Sequence, residues 1–292
     1  MTNKLQIAPV RARHEKQILP FRAWVIVCSA ISFLIMTPLV TSLLSSLRRP
    51  TEAQESPPRL WPRHFSTESF RKLTGVSDGV WHYIANSLAL SFGTLLGTVL
   101  LSVLAGFGFA RFNFIGKKIL FGSILLMIMI PFQAILTPLY VIFSQLHLTN
   151  NLFGLCLIYI TYQLPFSIFV MKNSFQAIPK SIEESAMVDG CTPWSTLRRV
   201  MFPLVIPGAI SVALFAFFAA WNEFLAALIL MTDQPHYTVP IMLTILNSRL
   251  YGQTDWGLMQ AGVIVTMIPC VVLFLTLQKY YIQGLMAGSI KS

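Results

Sequence analysis

The sequence predicts an all-α protein, a polytopic membrane bundle of six transmembrane helices. Three observations carry that prediction. Hydrophobic residues make up 55% of the 292-residue chain and charged residues only 11%, where a soluble domain carries about a quarter charged. The apolar residues gather into six runs, each close to the roughly 20 residues that span a hydrocarbon core. The basic residues fall mostly at the ends of those runs. A net charge of +10 therefore reflects membrane topology, not a nucleic-acid-binding stripe.

Residues 1–22 are polar and basic, with Lys4, Arg11, Arg13, Lys16 and Arg22 against Glu15, and are expected to form a cytoplasmic tail. The first apolar run, 23–44, lacks the short core and small-residue cleavage site of a secretory signal, so it is expected to remain as the first span. Residues 45–83 are polar and interrupted by Pro50, Pro57, Pro58 and Pro62. An extracytoplasmic segment with little structure of its own is expected there. A five-helix core follows over 84–283, with spans at 84–110, 119–143, 152–171, 203–231 and 261–281 and a cytoplasmic connection at 173–202. A cytoplasmic C-terminus is expected at 284–292. Pro131, Pro138, Pro165, Pro207 and Pro269 lie inside these spans, which a bundle tolerates when neighbouring helices satisfy the freed carbonyls. Gly93 and Gly97 form a GxxxG, a pattern that lets two helix backbones approach closely.

Orientation follows from Lys and Arg. With the N-terminus inside, 14 of them are cytoplasmic and 7 are outside, six of the seven within 45–83. Both termini and the 173–202 connection are therefore expected in the cytoplasm.

That connection contains a polar island from Pro179 to Trp194. Ser181 and Glu184 have the spacing of a capping box, which predicts a short helix from Ile182. Gly190 is suited to close it in the left-handed conformation, and Thr192-Pro193 offers a second helix start. A helix this short is not stable alone in water, so it must dock onto something.

Catalytic chemistry is not indicated. The five histidines are scattered through tail and loops, and Cys28, Cys156, Cys191 and Cys270 show neither zinc spacing nor a pair in one outer loop. The nearest approach to a phosphate loop, Gly116-Lys117-Lys118, has Arg111 where its first glycine should be and lysine where Ser or Thr should be. No metal, cofactor or ATPase activity of its own is expected. Glu223 is the single carboxylate placed within an apolar run, where a charge costs at least about 2.5 kcal/mol without a cavity or partner. With Trp221 and Asn222 it is a candidate for the outer part of a translocation pathway or its gate; a simple interfacial position beside Trp221 is the alternative.

The order Glu184-Ser185-Ala186, three residues, Gly190, nine residues, then Val200-Met201-Phe202-Pro203 resembles the EAA signature of the membrane subunits of ABC importers. Ser185 replaces the usual alanine, and Val200 and Phe202 replace the usual isoleucine and leucine. Leu164-Pro165-Phe166 leading into Phe175 and Ile178-Pro179, the Asp189 to Trp194 segment, Trp221-Asn222-Glu223-Phe224 and the terminal Gly284 to Gly288 run are similar to the carbohydrate-importer branch, its maltose-type second permease subunit in particular. The resemblance covers 84–290; the tail and first outer segment rest on composition alone.

The resemblance implies a type I ABC importer permease in a bacterial inner membrane. It implies two ATPase subunits bound at the 179–203 loop, a second permease subunit forming a heterodimer, and an extracytoplasmic solute-binding protein. The solute would be a sugar, oligosaccharide, polyol or glycerol phosphate. The coupling set carried over is Glu183, Glu184, Ala186, Asp189, Gly190 and Pro203: Glu184 would orient the coupling helix and interact across the interface, Ala186 would permit close docking, Gly190 would make the turn and Pro203 would start span five. A rival from another class is an ion-coupled secondary transporter with Glu223 as its coupling carboxylate. Such a carrier ordinarily holds several intramembrane carboxylates and an internal repeat, and the sequence offers one carboxylate and no obvious repeat. A membrane scaffold using the polar island to bind another cytosolic protein is a further alternative.

Overall fold

Six long apolar segments dictate the architecture, and three of the helices they form position the polar island. The computed structural model describes residues 21–53, 61–76, 79–247 and 255–289. The tail over 1–20, Pro57 and Pro58, and residues 290–292 lie outside the described residues. Helices run α1 Phe21–Ser46, α2 Pro50–Ala53, α3 Glu68–Thr74, α4 Val80–Arg111, α5 Lys117–Met127, α6 Phe132–Gln145 and α7 Leu152–Gln176. Then come α8 Lys180–Val188, α9 Pro193–Ser195, α10 Phe202–Asn222, α11 Leu225–Leu230, α12 Val239–Asn247 and α13 Trp256–Ser289. Five helices are long and apolar enough to cross a membrane, and the α5–α6 pair makes a sixth span when counted as one.

The bundle is built around α4, which packs along α7 and α10. Helix α13 packs on α10, and α1 leans on α13. Small residues permit the α4–α7 approach, as the GxxxG predicts. A Cβ on Gly93 would stand 3.0 Å from Cys156 Sγ, and one on Gly106 would stand 2.6 Å from Met171 Cβ and 2.9 Å from the Lys172 amide nitrogen. Backbone lies against backbone at Gly106, so only glycine fits.

The structure departs from the sequence expectations at several points. The span at 119–143 is not one kinked helix: α5 and α6 meet at an angle of 100°. Ile128, Met129 and Ile130 donate only to carbonyls three residues back, a tightening that ends the α-helix. Pro131 then supplies no N–H and disfavours helical geometry at Ile130. Pro138, Pro165, Pro207 and Pro269 all remain inside helices.

The 45–83 segment has structure of its own. Helix α3 turns Ser69 and Leu73 inward, 0% and 1% exposed, an i, i+4 pair on one face. Leu73 joins Val80, Tyr83, Phe217, Trp221 and Met242 in one apolar cluster. The Ser66 amide donates to the Leu47 carbonyl at 2.8 Å, and Lys72 pairs with Asp255 at 3.5 Å. The second span therefore begins at Val80, ahead of the expected Ile84.

Span five does not run from Pro203 to 231. Its helical path begins at Pro193 and passes through a π-helical turn, Thr196–Met201, before continuing as α10 to Asn222. Pro203, with no amide hydrogen to give, follows directly after that wider turn. Beyond Asn222 the chain is extended at Glu223, with φ −72° and ψ 131°, before α11 restarts. The last helix is longer than expected at both ends, starting at Trp256 under an Asp255 cap whose Oδ1 accepts the Leu258 amide at 3.0 Å. It continues to Ser289, through the first residues of the expected C-terminal tail. The sequence reading assigned no element to 232–255, where α12 packs Ile241, Met242 and Leu246 inward.

Candidate functional site

The polar island forms the helix–break–helix that its sequence predicts, with one difference in how it starts. Helix α8 begins at Lys180, capped by Pro179, and no side chain caps it. Ser181 already lies within the first turn, where its carbonyl accepts the Ser185 hydroxyl at 2.8 Å. The capping box between Ser181 and Glu184 is thus not formed: proline sets the start two residues earlier than Ile182, and Glu184 is left exposed. The other end follows expectation. Gly190 has φ +82°, the Cys191 amide donates to the Ala186 carbonyl and the Gly190 amide to the Met187 carbonyl, each at 3.0 Å. That pair of bonds is a Schellman closure. Thr192 then caps the next helix, its Oγ1 accepting from the Ser195 amide at 3.3 Å.

Helix α8 has two distinct faces. Glu183 and Ala186, three apart, are its only buried residues. Ala186 is 6% exposed and faces the chain's own bundle, so its small side chain serves the approach of α8 to the π-helical turn. The opposite face is open. Val188, 88% exposed, points away from the bundle on the side of Glu184, while Met187 and Ile182, 48% and 37% exposed, lie on either side of the buried pair, and Asp189 is exposed as well. Exposed apolar side chains and carboxylates therefore alternate around the open side of α8.

Glu183 is held by Arg111, the last residue of α4. Arg111 Nε stands 3.0 Å from Glu183 Oε2, with the two side chains only 4% and 11% exposed. Arg111 Nη2 donates to the carbonyls of Phe175 at 2.9 Å and Ile178 at 2.8 Å. The first of these carbonyls lies in the last turn of α7 and the second just beyond its end, where a cation is favoured by the helix dipole. One guanidinium thus joins three elements. Directly beneath it Phe107, Met171, Phe175, Leu197 and Met201 form a cluster in which Met171, Phe175 and Met201 are fully buried. Lys172 Nζ lies 3.7 Å over the Phe121 ring, fastening α5 to the same end of α7.

The second predicted group lies at the far end of α10, about 30 Å away at 1.5 Å per residue. The structure does not bring it near the loop. Trp221 is buried, stacked on Phe217 with ring centroids 5.7 Å apart. Asn222 is exposed and donates to the Phe218 carbonyl at 2.8 Å. Glu223 accepts the Ala226 amide at 3.0 Å, the Ala227 amide at 3.2 Å and the Tyr159 hydroxyl. Its charge is satisfied by protein donors, and it starts α11. Among the described residues, no three His, Cys, Asp or Glu side chains gather as a metal site.

Arg111 is the member of this arrangement that the sequence does not single out. It counts there as one of the cytoplasmic cations, and nothing in its surroundings, 72 residues from Glu183, announces the pairing.

Comparisons with known proteins bear on this arrangement. The profile of the family described as "Binding-protein-dependent transport system inner membrane component" matches residues 98–286. The diacetylchitobiose uptake system permease protein DasC of Streptomyces coelicolor is 31% identical, over 92% of this chain and 97% of its own length. The trehalose transport system permease protein SugB of Mycobacterium tuberculosis is 34% identical over 77% of this chain and 83% of its own length. Among solved structures, a bacterial ABC transporter involved in the import of the acidic polysaccharide alginate contains a chain that superposes with a TM-score of 0.79. At 18% identity it covers 94% of this chain and 100% of that one. That likeness is one of fold.

Proposed function

The chain belongs to the family of binding-protein-dependent transport system inner membrane components, and from that membership we propose that it passes a carbohydrate across a bacterial inner membrane. It is a multi-pass permease subunit of an ATP-binding-cassette importer; in such systems ATP hydrolysis resides on a separate subunit. The observation that carries the carbohydrate class is the pair of relatives named for diacetylchitobiose and trehalose, aligned over 92% and 77% of this chain. The same relatives favour an ATP-driven importer over an ion-coupled carrier centred on Glu223.

In this reading the termini and α8 are cytoplasmic, and an extracytoplasmic binding protein delivers the solute. Two ATPase subunits serve the complex, one seated on the outward face of α8 and one on a second permease subunit. Ile182, Met187 and Val188 supply the apolar contact, and Glu184 and Asp189 the charge around it. Gly190 and the Thr192 cap fix the angle at which the chain returns into α10. Closure of the ATPase dimer moves α8, and the bundle rocks between inward-open and outward-open states, a two-state element biased by ATP at one end and loaded binding protein at the other. Pro203 lies where that motion enters α10. Trp221, Asn222 and Glu223, at the break between α10 and α11, mark the outer end of the pathway. The lipid-facing or partner-facing surface includes α1, whose apolar side chains Phe33 and Leu34 are 79% and 71% exposed.

The test is affinity purification of the chain from its native membrane in mild detergent beside a Glu184→Lys variant. An ATPase and a second permease are expected with the wild-type chain, and loss of the ATPase is expected in the variant. A wild-type preparation holding no ATPase, under conditions that keep other membrane complexes intact, would overturn the reading.

A further inference from the structure

We propose that Arg111 is a positioning residue for transport, the link through which movement of α8 reaches α4. The inference rests on the reading of α8 as the helix that an ATPase moves. Covalently, α8 is joined only to α7 and, through the Gly190 turn and α9, to α10. Helix α4 is separated from it by the whole of α5, α6 and α7, yet α4 is the helix around which the bundle packs. Arg111 closes that gap in space. Its Nε lies 3.0 Å from Glu183 of α8, an ion pair without hydrogen-bond alignment, and its Nη2 holds the Phe175 and Ile178 carbonyls at 2.9 and 2.8 Å.

The pair has the properties that a mechanical link needs. Both side chains are nearly excluded from water, so their attraction is weakly screened and separation would strand a charge. The guanidinium is planar and serves several acceptors at once, so α4, the end of α7 and α8 are fixed relative to one another. The support is stiff: a Cβ on Gly106, five residues before Arg111, would come within 2.6 Å of Met171 Cβ on α7. Phe107 packs edge-to-face on Phe175 at 5.4 Å. On α8, Glu183 is the one charged residue turned inward. The two carboxylates thus divide the work: Glu184 faces outward toward the ATPase, and Glu183 faces inward and hands the displacement to α4.

The experiment uses the full complex, purified with its ATPase and binding protein and reconstituted in proteoliposomes. ATP hydrolysed per solute imported is measured for wild type, Arg111→Gln, Glu183→Gln, the double variant and Arg111→Lys, each normalised to assembled complex. The ATPase is expected to stay bound in these variants, while Glu184→Lys releases it. The ratio should rise by about two- to thirtyfold in either single Gln variant, the range over which residues along a coupling path shift a conformational equilibrium. The double variant should be no worse than the poorer single one, because both lose the same contact. Arg111→Lys should recover part of the coupling. A merely structural role lowers the amount of complex and leaves the ratio unchanged; that result, in the nearly isosteric Glu183→Gln as well as Arg111→Gln, would overturn the inference. Absence of ATPase from the wild-type complex would overturn the α8 reading itself, and the inference with it.

Discussion

Tyr159, in the first third of α7, donates its hydroxyl hydrogen to Glu223, the residue that follows the end of α10. The same carboxylate accepts the amides of Ala226 and Ala227, so a charge at the break between α10 and α11 is held by three donors. Removing it strands two amides of α11 and one phenol. Glu223→Ala is expected to lower stability by about 2–3 kcal/mol, the range for charged hydrogen bonds lost in a part-buried site. Thermal unfolding of the purified chain checks this. Glu223→Gln keeps the size and one acceptor oxygen and should retain ATP-driven uptake in vesicles whose ion gradients have been collapsed. An ion-coupled carrier would lose transport under those conditions whatever stands at 223.

At Gly190 the backbone, not the surroundings, forbids a side chain. Its φ is +82° and no atom lies within 4 Å of where a Cβ would be. Gly190→Asn is therefore expected to be tolerated, since asparagine visits the left-handed region, while Gly190→Val costs about 1–2 kcal/mol or more for the same conformation. The Schellman closure would open in the valine variant and α8 would change its angle to the bundle. Uptake should fall in Gly190→Val and persist in Gly190→Asn, with chain levels compared by immunoblot; equal uptake would remove Gly190 from the coupling set.

Gly106 presents the opposite case, because there the space is closed. Its neighbour across the interface includes the Lys172 backbone at 2.9 Å from a built Cβ, which cannot rotate aside. Gly106→Ala should cost about 1–3 kcal/mol, as over-packed cores do. At Gly97 the atoms in the way belong to the Ile160 side chain, which has rotamers to use. Gly97→Ala should therefore be the milder of the two in thermal unfolding of the detergent-solubilised chain.

These cases show which parts of the molecule a sequence exposes. Helices α1, α4, α7, α10 and α13 were legible because an apolar run of spanning length has one stable form in a bilayer. The turn at Gly190 and the cap at Thr192 were legible because each is decided within a few residues. The bend at Pro131 was not, since Pro131, Pro138 and Pro165 share the same local chemistry, and whether a helix survives a proline depends on what its neighbours offer the freed carbonyls. Helix α3 was obscured by the prolines upstream of it; its stability comes from Leu73 entering a cluster with Met242 and Trp221, residues far along the chain. At the candidate site, the left-handed turn at Gly190 is legible in the sequence, whereas the capping box expected between Ser181 and Glu184 does not form. The distinction between Glu183 inward and Glu184 outward is a matter of rotation about α8. Arg111, on α4, fixes that rotation, and a pairing 72 residues apart leaves no trace in local spacing.

Val188 offers the most direct probe of what covers α8. At 88% exposure it makes almost no contact with the rest of the chain, so a substitution there leaves the fold within about 0.5 kcal/mol of wild type. An aspartate at the same position places a second carboxylate on the outward face beside Glu184, its i−4 neighbour, where a partner would have to bury it unpaired. Loss of about 1.4 kcal/mol or more of association energy follows, a tenfold weakening. Val188→Asp should therefore unfold at the wild-type temperature yet lose the ATPase on affinity purification, and Val188→Leu should keep it. A chain that retains its ATPase with both Val188→Asp and Glu184→Lys would place the docking surface elsewhere than on α8. The contrast between the two valine variants matters most, because they alter the same exposed site and differ only in whether the buried face of an interface accepts them.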